Sequence, residues 1–161
     1  MANVDLRELR ILIVEDNVHF RTLLRTILQH LGVKEIRETS DGSEALRMLE
    51  DFPADLAIVD WKMDGMDGLE CIRRIRRDGN PETRHIPVLM VTGYGDDPMP
   101  AQARDAGAND LLVKPISPKS LMKSLYDVLL RPGAFIETNA YVGPDRRKLE
   151  GEFDGSERRT E

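Results

Sequence analysis

The feature that most constrains this chain is an alternation. Short continuous apolar runs are separated by segments whose apolar residues recur at helical spacing. Arg10-Ile11-Leu12-Ile13-Val14, Leu56-Ala57-Ile58-Val59-Asp60 and Pro87-Val88-Leu89-Met90-Val91-Thr92 are such runs. They are rich in β-branched residues and bounded by polar ones, as expected of strands buried on both faces. They are read as β1 (Arg10–Val14), β3 (Leu56–Asp60) and β4 (Pro87–Thr92). Two weaker strands complete the set: β2, a more exposed one over Val33–Thr39, and β5, a brief one over Asp110–Val113.

Between the strands lie the helices. Phe20, Leu23, Leu24, Ile27, Leu28 and Leu31 mark α1, which Gly32 stops. Asp41-Gly42-Ser43-Glu44 reads as a capping box that opens α2, whose Ala45, Met48, Leu49 and Phe52 share one face. A loop from Met63 to Gly68 leads into α3, with Leu69, Ile72 and Ile75 inward and Arg73, Arg74, Arg76 and Arg77 read as a solvated outer face. A weaker helix, α4, falls within 95–107, shortened by Pro98 and Pro100. Ser117-Pro118 supplies an N-cap and a first-turn proline for α5, which carries Leu121, Leu125, Val128 and Leu129 inward and ends at Pro132-Gly133.

The order is therefore a (βα) unit repeated five times. It predicts an α/β protein with a doubly wound, five-stranded parallel sheet of flavodoxin-like order 2-1-3-4-5. At 161 residues the chain has room for one such domain, read as 1–130, and a tail over 131–161. The tail is rich in glycine and charge, too short for a helix-turn-helix effector domain, and expected to be partly disordered, above all beyond Gly151.

Composition narrows the function. The net charge of −6 and an aromatic content of 5% argue against a nucleic-acid binder, which needs clustered cations and stacking surfaces. The start of the chain lacks the pattern of a signal peptide, and no apolar stretch approaches the length of a membrane span, so a cytoplasmic location is expected. Cys71 falls among apolar helix positions and reads as a small core residue. His19, His30 and His85 are scattered without ligand spacing and read as surface residues.

In a doubly wound sheet the functional crevice lies at the carboxyl ends of the strands, where the winding reverses. Those ends carry Glu15-Asp16 after β1, Asp60 closing β3, Thr92 closing β4 and Lys114 after β5. Clustered carboxylates repel one another and call for a cation, and an all-oxygen donor set suits Mg²⁺ better than zinc. Lys114 offers a point charge for an anion and Thr92 a hydroxyl donor. Together these are the parts needed to accept a phosphoryl group on Asp60, whose carboxylate supplies the attacking oxygen.

From about Leu9 to Leu130 the chain resembles the CheY-like receiver domains of two-component response regulators. The resemblance is carried by Ile-Leu-Ile-Val-Glu15-Asp16-Asn17, Asp41-Gly42-Ser43-Glu44-Ala45-Leu46, Asp60-Trp61-Lys62-Met63, Met66-Asp67-Gly68, Val91-Thr92-Gly93 and Lys114-Pro115. Each piece is weak alone; all of them, in order and correctly spaced, are specific. The resemblance implies that Asp60 is the phosphoacceptor. Asp16 and Asp60 would bind Mg²⁺ with the backbone carbonyl of Lys62, and Glu15 would support the site. Thr92 and Lys114 would contact the phosphoryl group, and the Lys114-Pro115 bond would be cis. The donor would be a histidine kinase or histidine phosphotransfer protein, and the chain would not be a turnover enzyme. The output would be a protein target bound through the face formed by α4, β5 and α5, or a phosphorelay in which the group passes on to a phosphotransfer protein. A monomer or a phosphorylation-dependent dimer is implied, with neither nucleic acid nor membrane as partner.

Several positions depart from the family pattern. Leu111 stands where many members carry an aromatic switch residue, and Asp64 where many carry proline. Lys62 and Tyr94 occupy the positions that commonly tune phosphoryl loss, and Tyr94 is read as a shield of the acyl phosphate against water. In the tail, Phe135-Ile136 and Tyr141-Val142 are candidates to pack back on the domain, and Tyr141-Val-Gly-Pro-Asp-Arg-Arg-Lys148 reads as a solvated turn, a docking motif for a partner, or a segment that folds over the receiver's own output face.

Three rivals fare worse. A haloacid dehalogenase-type phosphohydrolase wants Asp-x-Asp after the first strand, whereas this chain has Asp60-Trp61-Lys62 after the third. A flavodoxin wants a phosphate-cradling loop where Glu15-Asp16 would repel phosphate. A receiver-like binding module that is never phosphorylated would not need the full set of site residues.

Overall fold

The computed structural model describes residues 5–78, 80–93, 100–130, 135–137 and 142–144. A single 3-10 turn, Leu6–Glu8, precedes the alternating core: β1 (Arg10–Val14), α1 (Val18–Leu31), β2 (Glu35–Thr39), α2 (Gly42–Asp51), β3 (Leu56–Asp60), α3 (Gly68–Asp78), β4 (Val88–Thr92), α4 (Pro100–Ala106), β5 (Asp110–Val113) and α5 (Pro118–Leu130). The strands form one parallel sheet in the order β2-β1-β3-β4-β5, as predicted.

The continuous apolar runs are explained by two cores, one on each face of the sheet. Alternate residues of each central strand feed opposite sides. Leu12, Val14, Ala57, Val59, Val88 and Met90 pack under α2, α3 and α4. Ile11, Ile13, Leu56, Ile58, Leu89 and Val91 pack under α1 and α5. Cys71 lies in the first core, where burial pushes its thiol up to about 12. His19, His30 and His85 are exposed.

Helix ends follow local chemistry. Asn17 caps α1 by accepting from the Phe20 amide at 3.0 Å, and Gly32 ends the helix in the left-handed region at φ 112°. Ser117 caps α5 by accepting from the Ser120 amide at 3.0 Å. The capping box read at Asp41–Glu44 is only half made. Asp41 accepts from the Ser43 amide at 2.7 Å, but Glu44 does not reach back to the Asp41 amide. The Thr39 hydroxyl stands between them, donating to Glu44 at 2.6 Å and accepting from the Asp41 amide at 3.2 Å.

Other expectations are corrected by packing. Leu23 is exposed, because the inward stripe of α1 is centred on Leu24, Ile27 and Leu28. Val33 is buried ahead of β2 rather than within it. Arg76, read as solvated, is 1% exposed, because it stands four residues after Ile72 on the inward stripe of α3. Its five N–H donors make five hydrogen bonds: two to the Gly107 carbonyl, one each to the carbonyls of Arg84 and Ile86, and one to Asn109 Oδ1. This guanidinium ties α3 to the approach to β4 and to the turn before β5.

Two short segments of the tail are strands. β6 (Phe135–Glu137) and β7 (Val142–Pro144) form an antiparallel pair. β7 lies against α3, with Gly143 and Pro144 buried. The remaining residues of the motif read over 141–148, and those beyond Gly151, lie outside the described residues.

Candidate functional site: an acidic cluster with one lysine

The site is assembled by the ends of β1, β3, β4 and β5. Asp60 is the last residue of β3 and is 5% exposed. Its register partner on β4 is Val91, so Thr92, 3% exposed, is the next residue beyond it. The chain then leaves β3 through a tight turn that only glycine permits. Gly68 donates its amide to the Trp61 carbonyl at 2.7 Å, and a Cβ there would lie 2.3 Å from the Asp60 carbonyl oxygen. Met66-Asp67-Gly68 is thus the closure that sets the strand end carrying Asp60.

Glu15 and Asp16 follow β1 directly. Carboxylate oxygens of Glu15, Asp16 and Asp60 all lie within 4.8 Å of one another. Glu15 is 1% exposed, whereas Asp16 is nearer solvent. Backbone amides hold the first two in place: Asn17 donates to Glu15 Oε2 at 3.1 Å, and Asp64 to Asp16 Oδ2 at 3.2 Å. Asp64, the departure at the usual proline position, therefore serves the cluster through its main chain.

Lys114 is the counter-charge. Its amide donates to the Thr92 carbonyl at 2.8 Å, which fixes it beside β4. Its Nζ lies 3.4 Å from Asp60 Oδ1 and 3.5 Å from Glu15 Oε1, and 4.1 Å from the centre of the Phe20 ring. The Lys114-Pro115 peptide is cis.

One lysine does not neutralise three carboxylates. Burial, then the nearby Asp60 charge, raises Glu15 to about 7. Burial likewise raises Asp60, although Lys114 pulls it down. Glu15 Oε1 is buried without a hydrogen bond. A buried carboxylate oxygen without a hydrogen bond, in an all-oxygen cluster short of positive charge, fits a hard divalent cation such as Mg²⁺. Glu15, Asp16 and Asp60 are the side chains placed to hold it.

The remaining predicted positions surround this centre. Lys62 is exposed in the loop after β3, its ammonium 5.5 Å from the Trp61 ring centre. Trp61 is partly buried and packs against the core. Leu111 packs against the α2–α4 side and, with Pro100 and Ala103 among others, lines the shallow surface where α4 meets β5. Tyr94 lies outside the described residues. The residue that the sequence reading missed is Arg21. Its Nη1 donates to the Glu15 carbonyl at 2.6 Å, a contact that no spacing rule announces.

Comparison with known proteins agrees with this architecture. Residues 11–126 match the family model described as the response regulator receiver domain. The chemotaxis protein CheY-3 of Vibrio cholerae is 34% identical over 125 residues, 78% of this chain and 95% of that protein. The cyclic di-GMP phosphodiesterase response regulator RpfG of Xanthomonas campestris is 40% identical over 114 residues, which are 70% of this chain but only 30% of that longer protein. Among solved structures, a response regulator from Chloroflexus aurantiacus superposes with a TM-score of 0.71 at 33% identity, covering 76% of this chain and 98% of that one. The receiver domain of the sensor histidine kinase PA1611 from Pseudomonas aeruginosa, solved with magnesium coordinated in its active site cleft, gives 0.67 at 28% identity, covering 75% and 97%. The chain belongs to the response regulator receiver domain family.

Proposed function

We propose that this receiver takes a phosphoryl group on Asp60 in a magnesium-dependent reaction and thereby switches its affinity for a protein partner. The observation that carries this reading is the convergence of Glu15, Asp16 and Asp60 within 4.8 Å, with Lys114 Nζ 3.4 Å from Asp60. An Asp60 carboxylate oxygen attacks phosphorus in line, the bond from phosphorus to the donor breaks, and an acyl phosphate results. The donor is a histidine kinase, a phosphotransfer protein or a small phosphoryl compound. Magnesium, when bound by Glu15, Asp16 and Asp60, offsets charge on the phosphoryl oxygens, as the ion coordinated in the PA1611 receiver suggests. Lys114 supplies the second positive charge and Thr92 a hydroxyl at the end of the adjacent strand. The change at Thr92 and Lys114 then favours an alternative arrangement of α4, β5 and α5 that the unmodified protein already samples.

The chain modifies itself and does not turn over a substrate. Among the described residues, no helix is long and apolar enough to cross a membrane. The tail supports a docking role: after Tyr141-Val-Gly-Pro-Asp-Arg-Arg147, the order aromatic-x-Gly-x-acidic-Arg-Arg recurs at Phe153-Asp-Gly-Ser-Glu-Arg-Arg159.

The test is intact mass after incubation with acetyl phosphate. One added phosphoryl group is expected on the wild type with Mg²⁺, and none with chelator or in Asp60→Asn. If no adduct forms, and beryllium fluoride with Mg²⁺ leaves the NMR spectrum unchanged, the chain is a receiver-like binding module instead.

A further inference from the structure

The Glu15–Asp16 peptide lies at a mechanically weak point. It follows the last register pair of β1 with β2, Val14 with Thr39, so its carbonyl has no strand partner. Yet its setting decides where two of the clustered carboxylates point. Glu15, Asp16 and Asp60 repel one another, and a freely turning peptide would let Asp16 swing out to solvent.

Arg21 occupies this point. Its Nη1 donates to the Glu15 carbonyl at 2.6 Å while its Nε donates to Glu38 Oε1 at 3.2 Å. Glu38 is on β2, and its other oxygen accepts from Arg25. The Arg21 and Glu38 side chains are only 20% and 19% exposed, so solvent competes weakly for these contacts. The Glu15 amide in turn donates to the Thr39 carbonyl at 2.9 Å. Glu15 is therefore gripped on both sides from β2: directly through its amide, and through Arg21 and Glu38 at its carbonyl. The planar fork of arginine makes both bonds at once, which a lysine ammonium cannot do in this geometry.

We propose that Arg21 is a positioning residue for the acidic centre. It sets the Glu15–Asp16 peptide so that the three carboxylates stay convergent, and Glu38 and Arg25 hold its guanidinium in place. The inference rests on the proposed magnesium site and deepens it. Residues that orient metal ligands from behind typically change metal affinity by about tenfold or more when removed.

The test uses the full chain and Trp61, its single tryptophan, beside Asp60. Magnesium is titrated by tryptophan fluorescence for wild type, R21Q, R21K and E38Q, and the thermal midpoint of each is measured in chelator. R21Q should raise the magnesium Kd about tenfold. R21K and E38Q should fall between R21Q and wild type. A merely structural salt bridge would lower the midpoint and leave the Kd alone. Should R21Q not fold, R21K and E38Q carry the same comparison. A wild type that binds magnesium with a Kd these substitutions leave unchanged would overturn the role of Arg21 and spare the site. A wild type with no magnesium response by fluorescence or calorimetry would overturn both.

Discussion

Two buried polar clusters in this domain were built to opposite specifications. Around Arg76, a guanidinium with 1% exposure spends all five N–H donors on three carbonyls and one amide side chain. Around Asp60, three carboxylates share one lysine, and Glu15 Oε1 is left without a hydrogen bond. Burial of a polar group is tolerable when its bonds are complete, and destabilising when they are not. The first cluster is therefore a fastener between α3 and the segments flanking β4. The second holds an electrostatic imbalance that a cation and a phosphoryl group can resolve. Incomplete satisfaction, more than burial or charge alone, separates the functional cluster from the structural one.

The contrast can be broken in four places. The largest effect is expected at Arg76. Arg76→Ala should cost about 4 kcal/mol, because it strands several buried carbonyls at once. Chemical denaturation would measure it, and the loss should be the same with and without Mg²⁺. A loss under about 1 kcal/mol would show that water replaces the guanidinium and that the fastener is dispensable.

The next effect is on pH dependence. Burial raises Glu15 to about 7 and raises Asp60, so the folded state holds these protons more tightly than the unfolded chain does. A carboxyl with a raised folded value gives stability that is present at low pH and lost on deprotonation. Metal-free protein should therefore lose stability as pH rises from about 4.5 toward about 7, by about 3 kcal/mol if Glu15 dominates. Thermal midpoints in chelator would trace this slope; Glu15→Gln should flatten it, and Mg²⁺ should oppose it. A midpoint that rises with pH over this window would mean that the carboxylates are already balanced by protein groups.

Gly68→Ala should come third, at about 2 kcal/mol, since its Cβ would lie 2.3 Å from the Asp60 carbonyl oxygen and the backbone must shift. Unlike Arg76→Ala, it should also slow phosphorylation from acetyl phosphate, because the shift moves the Asp60 strand end. Normal phosphorylation with reduced stability would separate the closure from the site. The smallest effect is expected from Lys114→Met, which should tighten magnesium severalfold by removing a competing cation while weakening retention of the phosphoryl group. Isothermal titration calorimetry would read the first part; unchanged affinity would mean that Lys114 does not share the metal's electrostatic role.

Much of this architecture is legible in the sequence. β1, β3 and β4 announced themselves because strands covered on both faces are apolar between their ends, and the strand-end positions of Glu15, Asp16, Asp60, Thr92 and Lys114 followed from the winding. What was not legible depends on neighbours distant in sequence. Arg76 looked solvated because its carbonyl partners at Gly107, Arg84 and Ile86 come from other segments. Glu44 looked like half of a capping box because nothing in the local pattern says that the Thr39 hydroxyl reaches it first. The tail read as partly ordered, with Phe135-Ile136 and Tyr141-Val142 packing back on the domain, but the strand pairing itself was not legible, because a short antiparallel pair has no periodicity of its own.

The sequence by itself determined the layer order, the strand ends and the chemical inventory at those ends. These rest on hydrophobic periodicity and residue type, which are local properties. Only the tertiary structure decided which polar groups are satisfied. It placed Lys114 between Asp60 and Glu15, drew Arg21 onto the peptide between the acidic neighbours, and buried Arg76 among carbonyls. Hydrogen bonding is short-ranged and directional, so its accounts close only when segments far apart in the chain have been brought together.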